Sequence, residues 1–519
     1  MSLNNLSEIY NLNLNDFIQN SFSMFLQENK ITYPNLSNKL INEFEIENYL
    51  TKNNIKLDFD SLNKFQNLYD SNLSQKPTFI KFLCQVENIN ENQLFLAAKF
   101  DENNNKYILN KYYNFNFNQE NLDFNKNSIF SDRICLEVSN IKNLNNFIAN
   151  EFSYNNNFSN IEKIFVYDYS NKFTKINNNL LILGVAYKEN NFIYIHAWKI
   201  FDNYFNFKFD NLYNNIKNVD FNNLIYSELK EKILNNFNND ELLANYLILF
   251  LFSHIFSRNN TLIIGNFPMN IILEKNEKNS EKIDFISNLF SKISLFFSHK
   301  NLSISYLNEK PLFPIFNVDK EELSNSDIKL CDNSILLINE LTMTEGKLQQ
   351  IGLKNFACIK NLIDFQTINY QYPFNNIEIN HDIQIIIFSQ KTKSILNSPF
   401  LTILPQNSNE NNNNNNFKED SIMNDENFIK NLFIYINYVR LNKKEFIISN
   451  EINEQICKNF TEKNKGKFKS ENLNKIMILS RLFALSNGRN ELIYSDYEFA
   501  YNLEEKRLER IEYLKTKLK

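Results

Sequence analysis

Glycine, proline and arginine are what this sequence has least of. Its 519 residues include 6 Gly and 8 Pro. A loop that cradles phosphates needs glycines close together so that backbone N–H groups can approach the anion, and six scattered glycines leave little room for one. Arg is rare beside Lys, so each arginine present or missing is informative. Cysteine and histidine are equally thin. Cys84, Cys135, Cys331, Cys358 and Cys457 form no CxxC pair, and His196, His254, His299 and His381 lie far apart. A zinc site draws several soft ligands from close spacing, so no metal is expected. The first residues, Met1 to Asn20, show no basic segment leading into an apolar one. With the scattered cysteines this points to a reducing, intracellular compartment. Long hydrophobic runs are missing too. The most apolar stretch, Leu242 to Phe256, is shorter than the roughly 20 residues of a membrane span and carries Asn245 and His254. It reads as a buried core helix, with His254 a hydrogen-bonded core histidine.

What is present is ordinary globular material. Hydrophobic residues make up 43%, enough for a real core, and the length gives a prior of roughly three domains. Lys plus Arg is 55 against 60 Asp plus Glu, so a net charge of −5 excludes a bulk polybasic nucleic-acid binder. Roughly one residue in five is Asn, a compositional bias of the kind AT-rich codon usage produces.

Along the chain, residues 1–75 read as a mostly helical segment. From Thr78 the grammar turns to short strands: Thr78–Val86, Gln93–Ala98, Tyr107–Asn110, Ile134–Val138, Ile164–Tyr167, Leu180–Ala186 and Phe192–Ile200, with an Asn-rich loop over Tyr112–Asn127. This predicts a small barrel or sandwich over 76–205. Over 215–404 short apolar runs alternate with helices, which predicts a parallel sheet covered on both faces. Strands are expected at Thr261–Ile264, Leu302–Tyr306, Ser334–Ile338 and Ile383–Phe388, with a helix near Ser280–Phe297. Residues 405–425 (Pro405 to Asp425) form a low-complexity, disordered linker. Residues 426–519 read as helices at Phe428–Arg440, Asn453–Lys463, Asn472–Ser486 and Asp496–Leu514, the last capped by Ser495 with Glu498. Leu503, Leu508, Ile511 and Leu514 give that charged helix one buried stripe and a solvated face.

Two segments have the outline of a nucleotide site without its chemistry. Thr261 to Asn270 places Gly265 after the expected first sheet strand, where a P-loop would stand, but Pro268 removes a donor and no Lys-Ser/Thr follows. Ser334 to Glu340 has the form of a Walker-B strand whose first acid is Asn339, with Glu340 next. Asn in place of Asp removes the charge that supports Mg²⁺. No Arg lies between Arg258 and Arg440, so most of the α/β region has none to project as a finger, a group worth about 10³–10⁵ in rate where used.

The order of several stretches then becomes recognisable: Leu243-Ala-Asn-Tyr-Leu-Ile-Leu249, Leu341-Thr-Met-Thr-Glu-Gly-Lys-Leu348 with Asn361 to Tyr370, Ile448 to Ile452, and Ser480-Arg-Leu-Phe-Ala-Leu-Ser486. The chain resembles the minichromosome-maintenance (MCM) complex-binding protein family, itself similar to a degenerate MCM subunit. The resemblance implies an α/β and β multidomain fold: a β-rich, OB-like N-terminal part, a degenerate AAA+-type α/β domain and a C-terminal helical lid. It implies that Gln366 to Ile368 enters a presensor hairpin with its turn at Pro373 to Asn376. It also implies that Ser389 holds the sensor-1 position and that Asn474 stands where a sensor-2 Arg is expected. Gly265, Asn270, Asn339, Glu340, Ser389 and Asn474 are thus degenerate nucleotide-site positions, with no catalytic residue and no cofactor. The implied function is non-catalytic. By the same resemblance the protein is expected to associate with MCM helicase subunits in the nucleus and to support their assembly, delivery or unloading in DNA replication and sister-chromatid cohesion, with only indirect contact with chromatin. A residual nucleotide-dependent remodeller using Glu340, and a DNA-binding module on the β domain with Phe79, Phe82 and Phe95, are the alternatives.

Overall fold

The computed structural model describes residues 14–31, 35–45, 66–68, 78–112, 128–152, 162–167, 175–189, 192–221, 223–259, 263–273, 277–319, 322–324, 326–390, 394–396, 401–406, 425–442, 445–464 and 470–517. Most of the helical segment expected over 1–75, the loop residues 113–127 and the linker residues 407–424 lie outside the described residues. Two compact units emerge: Met1–Lys142 with Phe147–Tyr204, and Asn143–Asn146 with Phe205–Lys519.

The first unit is a closed barrel. Its strands are β1 (Gln66–Asn67), β2 (Thr78–Asp101), β3 (Lys106–Leu109), β4 (Ser128–Ser139), β5 (Glu162–Val166), β6 (Asn179–Glu189) and β7 (Phe192–Phe201). The two runs expected at Thr78–Val86 and Gln93–Ala98 are one strand, bent at irregularities between Val86 and Asn88, Ile89 and Asn92, and Leu96 and Ala98. Such bulges let a long strand curl. β2 pairs with β4 on one side and β6 on the other, closing the circuit β2-β4-β5-β7-β6. Only the β5–β7 contact in that circuit is parallel. Alternate residues fill the interior: Ile80, Phe82, Cys84 and Val86 from β2, Ile134, Leu136 and Val138 from β4, Leu180 and Ile182 from β6. This is period-two patterning expressed as packing. Outside it, helix α1 (Leu14–Glu28) offers Gln19, whose amide donates to the Leu109 carbonyl (2.7 Å) and accepts from the Leu109 N–H (3.1 Å), standing in for a neighbouring strand.

The second unit carries a five-stranded parallel sheet. A small hairpin, β8 (Ser257–Arg258) with β9 (Ile263–Ile264), precedes it. The sheet strands are β10 (Met269–Ile272), β11 (Phe296–Asn301), β14 (Ser334–Asn339), β17 (Ile383–Ser389) and β18 (Leu401–Ile403). Two further hairpins interrupt them: β12 (Phe316–Asn317) with β13 (Glu322–Leu323), and β15 (Thr367–Gln371) with β16 (Asn376–Asn380). The sheet order is β11-β14-β17-β10-β18, so by chain order the first strand sits between the fourth and the fifth. β14 and β17 are buried along almost their whole length and mostly apolar because both faces are covered.

Helix α2 (Glu241–Leu251) begins where Asp240 accepts from the Leu242 and Leu243 N–H groups, and every residue from Leu242 to Leu251 is buried. Each large apolar side chain so buried stabilises the fold by about 1.5–3 kcal/mol. The helix stops earlier than the apolar run predicts. Phe252 and Ser253 donate to Leu249 and Phe250 in a tightened last turn, and Phe256 already donates to Ile264. His254 is a core residue, its Nδ1 3.1 Å from the Phe252 carbonyl. Helices α3 (Glu277–Ile293), α4 (Ile304–Glu309) and α5 (Gln350–Phe365) flank the sheet in sequence. Two expectations fail here. The strand placed at Leu302–Tyr306 is Phe296–Asn301, because Ser303 accepts from the Tyr306 N–H and starts α4 instead. The helix expected to reach Phe297 ends at Ile293, where the Asn145 and Asn437 amides donate to its last carbonyls.

Helices α6 (Glu426–Leu441), α7 (Asn450–Asn464), α8 (Ser470–Ser486) and α9 (Tyr494–Lys517) complete the unit. Both ends of the expected linker are structured: Gln406 N–H donates to Asp240 (2.8 Å), and Asp425 caps α6. The start of α9 also differs from expectation. Ser495 lies in its first turn, and Asp496 accepts from the Ile493 N–H while pairing with Arg489 through two contacts of 2.7 and 2.8 Å. Its charged face is not solvated throughout. Glu504 and Arg507 are buried against each other, and Arg510 grips Asp240.

Candidate functional site

In open α/β sheets ligands bind beyond the carboxyl ends of the strands. Here that edge is made by Asn301, Asn339 with Glu340, Ser389, and Ile272 with Leu273; Asn339 pairs with Asn301 and Phe388, and Ile272 with Ser389. Three expected positions therefore meet: Asn339, Glu340 and Ser389. Asn339 is spent on structure, its amide donating to Asn301 Oδ1 (2.9 Å) and its Oδ1 accepting from the Leu341 N–H (3.0 Å). The Ser389 carbonyl accepts from the Leu273 N–H at 2.8 Å.

Glu340 is buried and fully engaged. One carboxylate oxygen accepts from the Ser394 hydroxyl, the other from the Ile395 N–H at 3.0 Å, and Leu396 N–H adds a further contact. Residues 394–396 thus wrap the one acid that a hydrolytic reading would use to orient water. Burial pushes its pKa above the ordinary Glu range, and the three donors offset part of that rise. Folding therefore favours the protonated form. The stability this gives is fully present below the unfolded-state pKa and is lost as pH rises through the higher folded value. Replacing Glu340 with Ala should accordingly cost more stability in mildly acidic than in neutral buffer. Urea titrations at the two pH values check this, and an equal loss at both would contradict it.

The other expected positions stand apart. Gly265 precedes β10 rather than following the first sheet strand, because the two-residue β9 belongs to a separate hairpin. Its φ of 101° and its approach to the His254 carbonyl explain the glycine. Asn270 lies inside β10, opposite Ile387 and Thr402, fully buried with neither amide atom hydrogen-bonded. The true strand-to-helix connection passes through positions 274–276, outside the described residues. Its sequence, Leu273-Glu-Lys-Asn-Glu-Lys-Asn-Ser280, contains no glycine. Asn474 is exposed on α8, and no hydrogen bond joins it to Asn339, Glu340 or Ser389.

The arginines are engaged within the fold. The chain has seven, and each is held. Arg133 lies 3.6 Å from the Phe165 ring centre. Arg258 donates to Asn380 Oδ1 and the His381 carbonyl, both at 2.7 Å. Arg440 reaches the Asn333 carbonyl and Gln384 at the opposite end of the sheet from Glu340, its pKa pushed down to about 10 by burial. Arg481 covers the Phe256 ring at 3.7 Å and is likewise lowered to about 10. Arg489, Arg507 and Arg510 pair with Asp496, Glu504 and Asp240. Sequence reasoning missed the 394–396 wrap, which has no motif. It also missed the Asp240–Arg510 pair, for which the Asp immediately before an apolar helix was the available signal.

A closed β barrel, then a parallel sheet with residues 394–396 over Glu340 at its carboxyl edge, then a set of C-terminal helices, together define a multi-unit α/β protein. The family model described as mini-chromosome maintenance replisome factor matches residues 191–511, and the chain belongs to that family. Among its relatives are the mini-chromosome maintenance complex-binding proteins of Danio rerio (24% identical over 274 residues, 52% of this chain and 43% of that protein) and Drosophila melanogaster (26% over 282 residues, 53% and 45%). That of Dictyostelium discoideum is 27% identical over 280 residues, 52% of this chain and 38% of that protein. The match spans less than half the length of each of these three relatives.

Proposed function

We propose that this chain is a non-catalytic binding protein for MCM helicase subunits. The observation that carries the reading is Glu340: its carboxylate is enclosed by residues 394–396, so the acid beside Asn339 is not open to orient a water. The sheet order supports an AAA+-type ancestry for the part over 215–404, with 426–519 as its lid. The barrel circuit, closed through one parallel pair, supports an OB-like domain over 76–205. In this reading Asn339 and Ser389 are the remnants of Walker-B and sensor-1 positions, and the β15–β16 hairpin that of the presensor hairpin. The protein presents a subunit-shaped surface to MCM subunits in the nucleus. It supports their assembly, delivery or unloading during replication and cohesion, and meets chromatin only through them.

Two measurements test it. Calorimetry with ATP and Mg²⁺ should show no saturable binding in the micromolar range. Pull-down of MCM subunits from extract by the tagged full chain should be equal with and without ATP. Micromolar ATP binding, or capture that requires ATP, would refute the reading.

A further inference from the structure

Strand β16 has one side paired and one side open. Its five residues, Asn376-Ile-Glu-Ile-Asn380, face β15 in antiparallel register, with Ile377 opposite Tyr370 and Ile379 opposite Ile368. At the hairpin end the Tyr372 N–H donates to the Asn375 carbonyl, and beyond the other end the His381 N–H donates to Gln366. Antiparallel pairs alternate between bonded and non-bonded, so these two contacts fix the alternation. Ile377 and Ile379 bond inward to β15. Asn376, Glu378 and Asn380 therefore aim their N–H and C=O groups away from it. Among the described residues no strand pairs with that outer side. Asn376, Ile377, Glu378 and Asn380 are exposed, Ile377 by 42%, and Phe374 at the turn is fully exposed.

An open row of donors and acceptors beside exposed apolar side chains is a template for strand addition. The charge on it selects the occupant. Glu378 is the strand's one charged residue, and it has no ion-pair partner among the described residues. The fullest twofold pairing of β16 with a second copy of itself centres on Glu378 and sets two carboxylates side by side, which is unfavourable. A foreign strand carrying Lys or Arg at that point meets the carboxylate instead. We propose that the outer edge of β16 is a docking site for an extended polypeptide segment with a basic residue opposite Glu378 and an apolar residue toward Phe374. Backbone pairing supplies the affinity, and the central charge supplies the choice.

The test uses the full chain and labelled synthetic peptides alternating Thr and Val, one with a central Lys and one with a central Glu, read by fluorescence anisotropy. The Lys peptide should bind, and the Glu peptide should bind several-fold more weakly. Glu378→Lys should reverse that ranking. Glu378→Pro removes an outward N–H that no internal bond uses, a placement edge strands accept, so it should abolish binding of both peptides at unchanged melting temperature. Failure of the Lys peptide to bind the wild-type chain would overturn the proposal. So would unchanged affinity in Glu378→Pro, an unaltered ranking in Glu378→Lys, or self-association through this edge in sedimentation.

Discussion

Replacing Arg507 with Met should destabilise the chain by about 3–5 kcal/mol, the range for removing one member of a buried ion pair. The guanidinium contacts Glu504 through two bonds of 2.7 and 2.6 Å and donates to the Thr402 carbonyl of β18 at 3.0 Å, while Glu504 also accepts from the Tyr246 hydroxyl at 2.9 Å. The Glu504 side chain has no exposed surface, and that of Arg507 is 5% exposed. Without its cation the carboxylate is left buried and uncompensated. The double variant Glu504→Leu with Arg507→Met should recover much of the loss, since no charge is then stranded. Equilibrium urea unfolding of the three proteins measures both effects. A loss below about 1 kcal/mol for the single variant, the range of exposed pairs, would mean that water reaches the site.

Gly265→Ala is the second large effect expected, a loss of roughly 3 kcal/mol, the upper end of the cost of forcing a side chain into sparsely populated backbone space. The residue's φ is 101°, and a Cβ there would press on the His254 carbonyl and lie 2.7 Å from Phe256 Cδ1. Both neighbours are held in place, the first as backbone and the second under Arg481. Thermal melting should show the loss. A phosphate-loop glycine would respond differently, with stability kept and nucleotide affinity changed.

The parts of this fold that could be read from the sequence are those where burial alone determines structure. Ser334–Ile338 and Ile383–Phe388 sit inside the sheet, and a short run so rich in apolar residues has no other place to go. Period-two alternation likewise exposed most of the barrel strands. Failures came where hydrophobicity outlasts the element. The run from Leu242 continues through Phe252 and Ile255, yet those residues are buried by a turn and a hairpin rather than by more helix. Leu302 is buried as a strand residue would be, but one residue later a serine hydroxyl redirects the chain into α4. At the site, Asn339, Glu340 and Ser389 could be brought together on paper because each follows an apolar run. What encloses Glu340 could not, because Ser394, Ile395 and Leu396 form no recognisable pattern. Charge was the most misleading signal: Glu504 and Arg507 look like a solvated pair until Tyr246 and Thr402 are seen around them.

The fate of the seven arginines has a consequence for how biased sequences are read. Where a point charge suffices lysine serves as well as arginine, and only a flat, forked contact requires arginine. Here the survivors lie over rings, bridge carbonyls of separate segments or clasp a carboxylate with two bonds. Lysine at these seven positions would keep the charge but lose the flat fork, so the few arginines mark the rivets of the molecule.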